Sequence, residues 1–140
     1  MAFSQYLATK ILSWVKNSNF PSSLSNVYVS LHTADPGTAG GNNDVTASVR
    51  GVATRVGIAA TAFSSVGAAS GGGYEITNSM VSQQTTSAAN TSPVTISHFG
   101  LWDASSGGNF LASGTLTTNV EIQQGDTVQF NSGAMAVKVV

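Results

Sequence analysis

The segment SHFGLWDASSGGNFLASGTL, residues 97–116, places a His, an Asp and four Ser within one short stretch. Nucleophilic hydrolysis would need a Ser activated by a His that a carboxylate orients. No Gly-x-Ser-x-Gly turn presents a Ser here. Ser105 and Ser106 lie in a Gly-rich turn. His98 and Asp103 stand an odd number of residues apart, so a strand would point them to opposite faces. The stretch therefore reads as strand, turn and strand. His98 and His32 read as polar residues on sheet faces. Glycosidase chemistry needs a paired carboxylate, and Asp35, Asp44, Asp103 and Asp126 all fall in turn-forming contexts. Zinc would need His and Cys at ligand spacing, and the chain has no Cys. GGNND (40–44) lacks the alternating acids of a calcium loop. SGGGYE (70–75) has no Lys-Ser or Lys-Thr after it, so it is no phosphate loop. The expectation is no enzyme, no cofactor and no metal.

The elements around these residues follow from periodicity. Ser4 is an N-cap for a helix over 4–17, with Leu7, Ile11, Trp14 and Val15 at three- and four-residue spacing. Pro21 and the Asn residues before it end that helix. Packing on a sheet is the expected duty of the Trp14 stripe, and docking on a neighbouring subunit is the sharper alternative. NVYVSLHT (26–33) alternates Val27, Val29 and Leu31 against Tyr28, Ser30 and His32. A long Gly-rich loop is expected over 34–48, a strand over 54–63, a second loop over 64–73 and a short strand over 74–81. A polar loop is expected over 83–92. Strands follow at 94–102, 109–117, 120–123, 127–131 and 134–140, with Gly125-Asp126 as a hairpin turn signal. In the 97–116 hairpin, Phe99 and Leu101 share one face and His98, Gly100 and Trp102 the other. Phe110, Ala112, Gly114 and Leu116 share a face on the return. The Val-rich end reads as an edge strand, able to accept a strand from another chain.

About eight short strands at this spacing predict a mainly β fold: an antiparallel two-sheet β-sandwich, jelly-roll-like, with one N-terminal α-helix. The chain reads as a single domain, 1–140, with the sandwich over 26–140.

The chain has five Lys or Arg and six Asp or Glu in 140 residues, so 8% are charged; an ordinary domain carries about 25%. Polarity comes from 20 Ser, 15 Thr, 10 Asn and 15 Gly. Five scattered cations make neither a nucleic-acid footprint nor a polybasic membrane patch. No apolar run reaches the roughly 18 residues of a membrane span, and the N-terminus does not read as a signal peptide. A neutral, hydroxyl-rich surface does not repel copies of itself. Arg50 and Arg55 are the basic residues in the body of the fold. Each is expected to form an ion pair on the sheet surface or with a loop Asp, or to fork onto a carboxylate of a neighbouring subunit.

VYVSLHTADPG (27–37), TISHFGLWDASSGGNFLASGTLT (95–117) and GDTVQF (125–130) resemble a family of small virion proteins of tailed bacteriophages. Its members share, in order, a helix, an LxTADPG strand and turn, a THFGIFDAATGGNLL hairpin and a GDTxxF strand. Members carry aromatic-Ala-Arg before the second strand, where this chain has Ala53-Thr54-Arg55. The resemblance implies a non-enzymatic structural role in the virion.

On these grounds the first expectation is a capsid decoration or cement protein. It would bind the outer head surface as a dimer or trimer and bridge major capsid protein subunits. The alternative is a tail component: a fibre, collar or baseplate module. A third is a carbohydrate-binding module with Trp102 as a stacking platform. The expected partners are the major capsid protein and further copies of the chain, with no nucleic acid and no membrane. The expected location is the virion, assembled in the bacterial cytoplasm. The candidate interface residues are Leu7, Ile11, Trp14, Asp35, Arg50, Arg55, Trp102 and Val139.

Overall fold

A computed structural model describes residues 3–79, 82–85 and 90–139, with the side chains of 82–85 excepted. Helix α1 spans Gln5–Val15, and the Ser4 side chain accepts from Leu7 N–H, which satisfies one of the first turn's free donors. The described residues hold nine strands: β1 Asn26–His32, β2 Val56–Ala59, β3 Gly67–Ala68, β4 Tyr74–Thr77, β5 Ser82–Thr85, β6 Val94–Trp102, β7 Phe110–Ile122, β8 Val128–Phe130 and β9 Ala136–Val139. A second helix, α2, covers Thr46–Arg50.

The fold is mainly β, and every strand pairing is antiparallel. One layer is a four-stranded sheet in the order β2-β1-β6-β7. The other is supplied by two short ladders, β3-β4-β9 and β5-β8. Alternation decides the core between them. Val27, Val29 and Leu31 of β1 and Ile96, Phe99 and Leu101 of β6 meet Val128, Phe130, Met135 and Val137 from the other layer. Buried Asn78 ties the layers' corner: its Oδ1 accepts from Met135 N–H and its Nδ2 donates to the Asn131 carbonyl.

Several local expectations change. The 34–48 segment is not a free loop. Thr33 N–H donates to the Asn43 carbonyl and Val45 N–H to the Leu31 carbonyl, so 43–46 extends the sheet beside β1 where β2 stops. The same segment runs into α2, whose Val49 is fully buried in the core. The strand expected over 54–63 shortens to β2 plus a 3-10 turn, Ala60–Ala62. The second loop, 64–73, contains β3. The polar loop over 83–92 falls partly outside the described residues, and its start belongs to β5. The strands expected over 109–117 and 120–123 are one continuous β7. Gly125, at φ 90°, does make a turn closed by Asp126, but β8 beyond it pairs with β5 and not with β7. The short return segment thus joins the opposite layer instead of forming a hairpin. The chain end, β9, lies at an edge of its three-stranded sheet as expected.

Candidate functional site

The 97–116 hairpin forms as read: β6 and β7 flank the 103–108 turn, with Gly107 and Gly108 at positive φ. Asp103 closes that turn. Its Oδ1 accepts from Asn109 N–H at 2.6 Å and its Oδ2 from Asn109 Nδ2 at 2.8 Å. His98 bonds Ser97 and, at 3.4 Å, Thr115. Asp103 and His98 are thus each held by different partners.

One face correction has a clear cause. Trp102 pairs with Phe110 while Leu101 pairs with Ala112, so Leu111 is an extra residue on β7. This bulge turns Phe110 away from the face of Ala112. Phe110 joins Trp102 on the outer face, with ring centroids 5.1 Å apart.

That outer face is where the fold concentrates its buried polar groups. Ser30 and His32, both fully buried, sit on alternate positions of β1 beneath the 34–48 segment. The His32 Nδ1 lies 2.8 Å from the Asn42 carbonyl, which can only accept. Nδ1 therefore carries a proton. In the neutral ring Nε2 then accepts, and the Ser30 hydroxyl donates to it at 2.7 Å. The Trp102 Nε1–H donates in turn to Ser30 Oγ at 2.9 Å. The result is one directed chain, from indole to hydroxyl to imidazole to backbone. Burial lowers the His32 pKa, against the Asn42 hydrogen bond and the Asp44 charge, which raise it. Gly40 and Gly100 make room: a Cβ at Gly40 would come 2.5 Å from Phe110, and one at Gly100 would strike Ser30 Oγ. The cluster contains a second Ser–His pair, remote from His98 in the sequence. Its signal in the sequence is Ser-Leu-His, two polar residues on one face of a strand. Its hydroxyl is sealed under Trp102 and the 34–48 segment, so a substrate reaches it only if that segment opens.

Arg55 and Trp102, expected at a subunit interface, are brought together within the chain. The guanidinium carbon sits 3.7 Å from the centre of the Trp102 ring. Arg55 Nη1 donates to the carbonyls of Ala104 and Gly107, and Arg55 N–H to that of Ser105. This side chain clamps the hairpin turn to β2. Burial lowers its pKa, opposed by Asp44 and Asp103. Ala53 is exposed, and the ring under the Arg55 guanidinium is that of Trp102. Arg50 is half-buried at the end of α2. Asp35 is exposed, and its Oδ1 accepts from Gly37 N–H. Val139 is exposed at the end of β9, opposite Tyr74.

The helix residues part company. Leu7 and Ile11 are half-buried, whereas Trp14 is 59% exposed. Packing of Trp14 on the sheet, the expected duty of that stripe, does not occur: the helix runs off the body before Trp14, which instead meets Phe20 edge-on at 6.3 Å. Leu12, Val15, Phe20 and Leu24 are exposed as well. On a helical wheel Trp14, Ile11, Val15 and Leu12 are consecutive, so this is one widened apolar flank. An open cleft of about 830 Å³ runs between β7, the 35–38 turn and the β4–β9 ladder. Among the described residues no group of three or more His, Cys, Asp or Glu could hold a metal ion.

An antiparallel two-layer body, a polar cluster satisfied from within and an apolar helix flank left in solvent define a β-rich module. The particular family follows from comparison. Residues 2–138 match the family of the podophage GP4 fiber I protein gp80, and the chain belongs to that family. It is thus a structural component of a tailed-phage virion, as the motif resemblance implied. No curated protein matches the chain.

Proposed function

We propose that the chain is a subunit of a virion fibre, joined to further copies of itself through the flank of α1. The observation that carries the self-association is the flank: Leu12, Trp14, Val15, Phe20 and Leu24 are all at least 41% exposed within one short segment. Together they leave on the order of 500 Å² of apolar surface open, against the ~800 Å² each partner gives a standard interface. The low charge of the chain removes the repulsion that copies would otherwise feel. The family match, to a protein described as a fibre, supports the location.

A second reading, the decoration or cement protein bound to major capsid protein, is favoured by the neutral, hydroxyl-rich surface, which suits close packing of many copies on a shell. Cryo-electron microscopy of purified virions with a copy-number measurement tests both. A few sets of copies projecting from the tail or neck are expected. Hundreds of copies ordered on the icosahedral lattice would overturn the fibre reading in favour of the cement one.

A further inference from the structure

We infer that the cleft beside β7 is a binding site for a neutral saccharide. The chain is poor in charge, with five Lys or Arg and six Asp or Glu. Yet Asp35, Glu75 and Lys138 all line this one cleft, with His98, one of two histidines. Such convergence of scarce polar groups on a concave surface marks a binding site better than the same groups spread over a face. The volume, about 830 Å³, holds a ligand of oligosaccharide size.

The hydrogen-bonding character names the class. The Ser97 hydroxyl donates to the Thr33 carbonyl at 2.8 Å, so it can only accept from His98 Nδ1, also at 2.8 Å. In the neutral ring His98 Nε2 is then an acceptor on the cleft, with only a long contact to Thr115. The hydroxyls of Thr38, Ser113 and Thr117 line the cleft and make no hydrogen bond with a described residue. Each can donate and accept, as can every hydroxyl of a sugar. Lys138 Nζ lies 3.6 Å from Glu75, so that pair largely settles its own charge, and Asp35 leaves the site slightly negative. An anion is disfavoured there, and a cation meets Lys138. Phe3 adds one apolar wall for the C–H face of a sugar ring.

The test uses the full chain on an array of neutral and anionic oligosaccharides, bacterial surface glycans included. Hits are then measured by saturation-transfer NMR. Neutral glycans are expected to bind, with binding at least tenfold weaker in Ser113→Leu, which fills the cleft, and in His98→Leu. Thr38→Val and Lys138→Ala alter exposed cleft positions and serve if either of those variants fails to fold. Val52→Ser, at an exposed position that lines neither the cleft nor the α1 flank, is expected to bind as the parent does. Binding of anionic probes alone, no neutral glycan bound, or equal binding in the folded cleft variants would each overturn the site. The outcome does not depend on where in the virion the chain resides.

Discussion

At the scale of single residues, His32 carries the clearest consequence. Its burial holds the imidazole pKa below the ordinary 6.5. In the unfolded chain this ring protonates near pH 6.5, so below that pH the unfolded state binds more protons than the native one. The contribution of His32 to stability is present in full above pH 6.5. It is lost as pH falls from there toward the native pKa, at up to about 1.4 kcal/mol per pH unit. Urea midpoints measured between pH 7.5 and 5 are expected to fall below pH 6.5. A His32→Gln variant is expected to be less stable at pH 7.5 but to show a flatter dependence; an unchanged slope would remove His32 as the cause. Gly100 offers a second check. An added methyl would strike Ser30 Oγ and press on Phe110. Gly100→Ala is expected to lose about 1–3 kcal/mol in urea unfolding, the usual cost of overpacking. It should also shift the Trp102 fluorescence, since Ser30 holds the indole N–H.

At the scale of elements, the 103–108 turn is held from outside by Arg55. A planar guanidinium can stack on Trp102 and still donate to two carbonyls, which an ammonium cannot do. Arg55→Lys is therefore expected to cost about 1–2 kcal/mol despite keeping the charge. Hydrogen exchange should locate the loss. Amides of 103–108 are expected to exchange faster, while those of β1 and central β6 keep their protection. Uniform acceleration across β1 and β6 would instead mean that Arg55 supports the whole sheet. The bulge at Leu111 belongs to the same logic. By turning Phe110 over, it lets one strand serve the main core with Ala112 and the outer aromatic cluster with Phe110.

At the scale of the whole molecule, the body and the α1 flank have separate energetics. The core is closed by residues of both layers, and none of it depends on Trp14 or Leu12. Measured at a dilution where the parent is monomeric, Leu12→Ser and Trp14→Ser together are expected to leave the free energy of unfolding within about 0.5 kcal/mol of the parent, as surface substitutions do. The same pair is expected to shift sedimentation from an oligomer to a monomer. A parent chain that sediments as a monomer at high micromolar concentration would remove self-association through this flank.

The mainly β architecture, the Ser4-capped helix, the 97–116 hairpin and the edge position of β9 were legible in the sequence. Each rests on short-range patterns: alternation, capping spacing and turn residues, which act between neighbours along the chain. The family motifs were legible for the same reason. Other features were decided only in three dimensions. Ser30 and His32 looked solvent-facing because alternation cannot show that 40–42 folds back over their face. Arg55 looked like an interface residue because its acceptors, Ala104 and Gly107, lie about fifty positions away. Trp14 looked like core because the periodicity of a helix gives its apolar side but not where the body beneath it ends. The cleft that gathers Asp35, Glu75, His98 and Lys138 had no sequence signal at all, since four separate segments must meet to build it. Local physics sets which face of an element is apolar; only the packing of distant segments decides which faces are covered, and by what.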